Sequence, residues 1–103
     1  MPLIYHITTA EAWHNAQATG SYEADSLREE GFIHCSEAYQ VEDTLQRYFN
    51  GRQGLVKLFI DTDRLSSQYI QEWSGGAQDT FPHIYGPINL EAVLAVEPLG
   101  QLG

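Results

Sequence analysis

The chain alternates between short runs of β-branched and aromatic residues and stretches with helical spacing. Leu3-Ile4-Tyr5-His6-Ile7, directly after Pro2, has the composition of a strand. Thr8-Thr9-Ala10-Glu11 follows with the form of a capping box, in which Thr8 accepts from the amide three residues on and Glu11 reaches back. The helix opened there is expected to run to about Ala18, with Ala12, Trp13 and Ala16 on its apolar side and Gly20 just past its end. Asp25 to Glu30 is polar and predicts a turn or one helical turn, after which Gly31 releases the chain into a second strand, Phe32-Ile33-His34-Cys35. Ser36 stands where a helix N-cap belongs. Val41, Leu45, Tyr48 and Phe49 then recur at helical spacing up to Asn50-Gly51.

The run from Gly54 to Asp61 is apolar on nearly both faces, which predicts a strand in the middle of its sheet. Asp61 to Leu65 reads as a turn or short capped helix, and Gln68 to Trp73 as a strand ended by Gly75-Gly76. Thr80 to Asn89 holds two prolines and a glycine and reads as a shaped loop; Glu91 to Val96 closes the domain as a last strand, with one helical turn before it as the alternative. This order predicts an α+β fold: a mixed or antiparallel sheet with two main helices packed against it. The last connections are too short for helical crossovers, which favours antiparallel pairing. With no repeat, low-complexity tract or linker, residues 1–103 are read as one domain.

Composition narrows the function classes. Hydrophobic residues make up 43% of 103, enough for one core and against disorder. No run approaches the roughly 18 apolar residues of a membrane span. The start lacks the basic and apolar regions of a signal peptide, so a cytoplasmic protein is expected. Five Lys and Arg against fourteen Asp and Glu give a net charge of −9, which argues against duplex nucleic acid or an anionic membrane as partner. A small anionic ligand stays open, because a few arginines and backbone amides suffice to hold one. Cys35, the single cysteine, excludes an internal disulfide and reads as a small buried hydrophobe. A Gly-rich phosphate loop and a nucleophile elbow are both missing.

The candidate chemistry lies in the histidines. His14 falls on the polar side of the first helix and is expected at the surface. His6, His34 and His83 lie in or beside apolar, strand-like segments, where each imidazole needs a partner or stays neutral. They are expected to line one polar pocket. His6 and His34 each precede a predicted helix start, so the amides capped by Thr8, Thr9 and Ser36 offer an anion site beside an imidazole. The prolines of Phe81-Pro82-His83-Ile84-Tyr85-Gly86-Pro87 are expected to aim His83 and Tyr85. Glu72 and Glu91 are the acids expected near these histidines, to orient an imidazole or stabilise a cation.

The segments Ile4-Tyr5-His6-Ile7-Thr8, Gly31-Phe32-Ile33-His34-Cys35-Ser36, and Phe81 to Pro87 followed by Glu91-Ala92-Val93 resemble the small bacterial "domain of unknown function 952" family over nearly the whole chain. By fold similarity that family has been grouped with ADP-ribosyltransferase-like proteins, which implies a split, mainly antiparallel sheet with NAD bound in its cleft. In the larger group a first-strand histidine contacts the ribose of NAD, and His6 resembles it. His34-Cys35-Ser36 is similar to the H-x-S segment of the RNA 2′-phosphotransferase branch. Glu91, two places after Asn89, is the nearest match to the group's late-strand acid. The resemblance therefore implies an NAD- or ADP-ribose-type ligand held by His6, Thr8, Ser36, His83 and Tyr85. Ribosyl transfer would draw on His34 with Glu72 or Glu91 stabilising an oxocarbenium-like transition state. Two other readings stay open at this point. One is a metal site of His6, His34 and His83 in a small hydrolase. The other is a partner-binding module that uses Tyr5, Tyr39, Tyr48, Trp73 and Tyr85.

Overall fold

The computed structural model describes residues 2–99, and the expected domain, 1–103, extends past them at both ends. Strand β1 (Leu3–Thr9) pairs with β4 (Leu55–Asp61), which pairs in turn with β8 (Val93–Pro98) to make a three-stranded antiparallel sheet. As the apolar run predicted, β4 is central. Its even-numbered residues Val56, Leu58 and Ile60 lie opposite Thr8, His6 and Ile4 in the β1 register. That face carries the main core, where Leu58 and Ile60 are joined by Ile33, Ile84 and Ile88, all without exposed surface. Helix α1 (Ala10–Thr19) packs onto this core through Ala16, Ala12 and Trp13. On the opposite face Ile7 and Leu55 meet Val41 and Leu45 of α3 (Val41–Tyr48), so the sheet is covered on both sides.

The second half of the sheet stands apart. β3 (Ile33–His34), β6 (Asp79–Ile84) and β5 (Tyr69–Ser74) form another three-stranded sheet, and β2 (Ser21–Tyr22) pairs only with β7 (Ile88–Asn89). Every ladder among the described strands is antiparallel, so the fold is α+β without the parallel pairs of a mixed sheet. One short segment joins the two larger sheets. Ile33 and His34 pair with Ile84 and His83 of β6, and the Cys35 amide donates to the Pro82 carbonyl at 3.0 Å. Ser36 then exchanges two backbone hydrogen bonds with Tyr5 of β1, at 2.7 and 2.8 Å.

Three local expectations need correction. The cap of α1 is Thr9, whose hydroxyl accepts from the Ala12 amide at 3.0 Å, and not Thr8, which stays in the strand. Thr8 is drawn inward because its hydroxyl meets Tyr22 in the core. Ser36 caps no helix either: its hydroxyl bonds that of Thr44, while Glu37 and Gln40 close a capping box on the 3₁₀ turn Ala38–Gln40 that leads into α3. Finally, the expected loop from Thr80 is a strand. Pro82 fits inside β6 because the ladder to β3 ends at His34↔His83, so only its carbonyl is called on. The loop proper starts at Tyr85, where Gly86 leaves room for Ser67, whose hydroxyl donates to the Pro87 carbonyl at 2.6 Å.

Candidate functional site

His6 lies on the core face of β1, 7% exposed, so its ring nitrogens need internal partners. Nδ1 is 2.6 Å from the His34 carbonyl oxygen and Nε2 is 2.8 Å from the Tyr22 hydroxyl, which is 2.9 Å from the Thr8 hydroxyl. Burial pushes the imidazole pKa down to about 4, with the bond to the His34 carbonyl opposing the shift, so His6 is neutral at pH 7. A carbonyl only accepts, which puts the single ring proton on Nδ1. Nε2 then accepts from Tyr22, whose hydroxyl also contacts that of Thr8. Burial likewise pushes the Tyr22 phenol up to about 12 and holds it protonated as that donor. Every polar atom of the network is thereby spoken for.

The side chains of His34 and His83 meet on the outer face of the small sheet, as their register pairing requires. Their rings are 5.2 Å apart and nearly perpendicular, at 78°. Phe32, two residues before His34 on the same side of the strand, stacks on His83 at 4.1 Å and meets His34 edge-on at 4.8 Å. Each imidazole has its own carboxylate. Glu30, at the end of α2 (Asp25–Glu30), lies 3.1 Å from His34 Nε2, and Glu72 of β5 accepts from His83 Nδ1 at 2.8 Å. The Tyr85 hydroxyl donates to the same Glu72 oxygen. These bonds, Tyr85 first and His83 second, hold the Glu72 carboxyl below the usual glutamate range, and Glu72 in turn pushes the Tyr85 phenol up.

A cleft of about 670 Å³ runs across the junction of the two sheets. His6, Thr8, His34, Ser36 and His83 all line it, so the histidine segments that the sequence groups together do face one cavity. They reach it at different depths: His34 is exposed, His83 half-buried, and His6 closed in by its own partners. Glu72 and Tyr85 sit behind His83 instead of on the wall, and Glu91 is an exposed residue of the 3₁₀ turn Leu90–Ala92, also outside the lining. Among the described residues Arg52 is the one Lys or Arg on the wall, and the exposed rings of Tyr48 and Trp73 stand on the rim. The helical spacing placed Tyr48 on the apolar side of α3, yet it is 67% exposed, because α3 ends at Tyr48 and only Phe49 turns back to the core. Cys35 is buried, and desolvation pushes its thiol well above the usual range, so it offers no nucleophile.

Three contributors have weak or no sequence signals. Phe32 is legible as the residue two before His34 on one strand face. Glu30 is four before His34, but the pairing depends on Gly31 (φ 93°) turning the chain back between them. Nothing in the sequence points to Tyr22. Among the described residues no group of three or more His, Cys, Asp or Glu side chains is placed to hold a metal ion, and both ring nitrogens of His6 are already bonded.

Comparison with curated proteins gives no match. Among solved structures, the crystal structure of protein CC0527 from Caulobacter crescentus is similar at 32% identity and a TM-score of 0.87, covering 96% of this chain and 87% of that one. The solution NMR structure of CC0527 gives 33% identity and a TM-score of 0.81, covering 96% and 85%. A family model described as "Protein of unknown function (DUF952)" matches residues 7–96, and the chain belongs to that family.

Proposed function

We propose that the cleft binds a small nucleotide-type molecule of the NAD or ADP-ribose class. The observation that carries this is the make-up of its wall: three imidazoles, two of them with a nitrogen free, one arginine, two carboxylates and two exposed aromatic rings around about 670 Å³. That volume lies within the range of ligand sites, roughly 300–1,000 Å³. Tyr48 and Trp73 offer flat faces on which a base can stack. Arg52 offers a fork of donors for a phosphate, and His34 and His83 offer ring nitrogens for ribose hydroxyls. A net charge of −9 disfavours long polyanions, and Glu23 and Asp25 also line the cleft, so a small anionic ligand is held where Arg52 and backbone amides outweigh these two carboxylates. The division into two three-stranded sheets with a cleft at their junction also supports the ADP-ribosyltransferase-like arrangement that the resemblance implies.

The test is a titration of NAD, and separately ADP-ribose, followed by proton–nitrogen NMR. Saturable shifts are expected at His34, His83, Arg52 and Trp73. Unchanged spectra at millimolar ligand would overturn the proposal. Free nicotinamide appearing during the NAD titration would extend it to ribosyl transfer, with Glu72 as the carboxylate tied to His83.

A further inference from the structure

His34 and His83 are two imidazoles, each fixed by its own carboxylate and each with one nitrogen left over. Glu30 takes Nε2 of His34, which leaves Nδ1 of a half-exposed ring free. Glu72 takes Nδ1 of His83, which leaves Nε2. No buried side-chain nitrogen or oxygen among the described residues lacks a hydrogen-bond partner, so this unbonded Nε2 is reached by solvent. His83 lines the cleft, and so does His34. A carboxylate on one ring nitrogen sets the tautomer and the orientation of the other, which is how a histidine is prepared for proton transfer. Phe32 packs against both rings and fixes their separation.

From this juxtaposition we infer that His34 and His83 are a paired general base and general acid, acting on the phosphate ester of a small ribonucleotide, of which a nucleoside 2′,3′-cyclic phosphate is the simplest substrate. The inference rests on the nucleotide reading of the cleft and adds a reaction to it. Two imidazoles 5.2 Å apart can each reach, at about 2.6–3.2 Å, a different oxygen on one tetrahedral phosphorus. One neutral imidazole takes a proton from water as the water oxygen bonds to phosphorus. The ester bond to one ribose oxygen breaks, its electron pair stays on that oxygen, and the other imidazole, protonated, delivers a proton there. The product is a nucleoside monophosphate, and the two rings have exchanged protonation states. Water, cyclic ester and two imidazoles balance the step without a further reactant. Arg52 is the cleft's cation for the non-bridging phosphate oxygens. Glu30 and Glu72 are positioning residues, and Tyr85 holds Glu72 in place.

The experiment incubates the full chain with each of the four nucleoside 2′,3′-cyclic monophosphates and follows the products by phosphorus NMR across pH 4.5 to 9. Turnover with a bell-shaped pH profile is expected. His34→Ala and His83→Gln should each lower the rate by about 100-fold or more and remove one limb of the bell. His83→Gln keeps the volume of a half-buried side chain, and circular dichroism checks the fold. Glu30→Gln should lower the rate about 10-fold and shift one limb, an effect that a surface ion pair would not have. Absence of turnover by the unaltered chain, or turnover that survives both histidine variants, overturns the inference. The nucleotide reading is judged separately: shifts with ADP-ribose but no turnover of any cyclic phosphate leave binding standing and remove the acid–base pair. Turnover without any NAD or ADP-ribose shift does the reverse.

Discussion

His6 and His34 are joined by one hydrogen bond, from an imidazole to a backbone carbonyl, yet they live in opposite physical worlds. His6 sits among Ile4, Leu58 and Thr8 with both nitrogens bonded, neutral and closed off. The His34 side chain leaves the same peptide in the other direction, half-exposed, with an acid on one nitrogen and the other free. The first arrangement has the marks of a structural group, since every polar atom is satisfied inside the protein. The second has unspent hydrogen-bonding capacity facing a cleft, which a fold does not need. Unspent capacity, and not residue type, separates the two.

The comparison predicts a graded series. The largest effect is expected from His6→Ala, which opens a cavity and strands both the His34 carbonyl and the Tyr22 hydroxyl. Urea unfolding should show a loss of about 3–4 kcal/mol, and a loss below about 1 would mean the network is not structural. Acid comes next. The folded pKa of His6 is depressed from 6.5 to about 4, so the unfolded chain binds the proton first. The stability is therefore complete above pH 6.5 and is lost as pH falls toward 4, by about 3 kcal/mol in all. Denaturant midpoints measured across that window should show the decline, and His6→Gln should flatten it. Tyr22→Phe removes the donor to Nε2 alone and should cost about 1–2 kcal/mol in the same assay. Smallest for stability is His34→Ala, expected within about 0.5 kcal/mol, because an exposed ring leaves nothing buried unpaired. The same variant should abolish the ligand-induced NMR shifts at His83. A variant that loses stability while keeping those shifts would invert the two roles.

Much of this fold could be read from residue order, and the misses have a common cause. β4 was legible because a strand buried on both faces is apolar throughout, a signal that needs no knowledge of its neighbours. The cap of α1 was read at Thr8 and lies at Thr9, a shift set by a residue 14 positions away: Tyr22 takes Thr8 into the core. Pro82 argued for a loop, and the strand around it depends on where β3 stops. The histidine segments were grouped by their apolar neighbours, which sufficed to place His6, His34 and His83 along one cleft. Depth was not readable that way. Whether an imidazole is pinned or free depends on which carbonyls and carboxylates arrive from other strands, as the His34 carbonyl does at His6 and Glu72 does at His83.

The passage from His34 to Ser36 carries a consequence for how sequences of this kind can vary. Within three residues the chain leaves the ladder with His83 and enters a bridge with Tyr5, with no slack loop between. In extended chain, side chains alternate, so adding or removing a single residue there reverses which way each neighbour faces. Such a change would turn His34 toward the isoleucines and Ile33 toward water, whereas the same insertion in the Trp73–Asp79 hairpin tip would only lengthen a turn. Homologous chains should therefore differ in length freely at that tip and hold a fixed residue count from His34 to Ser36.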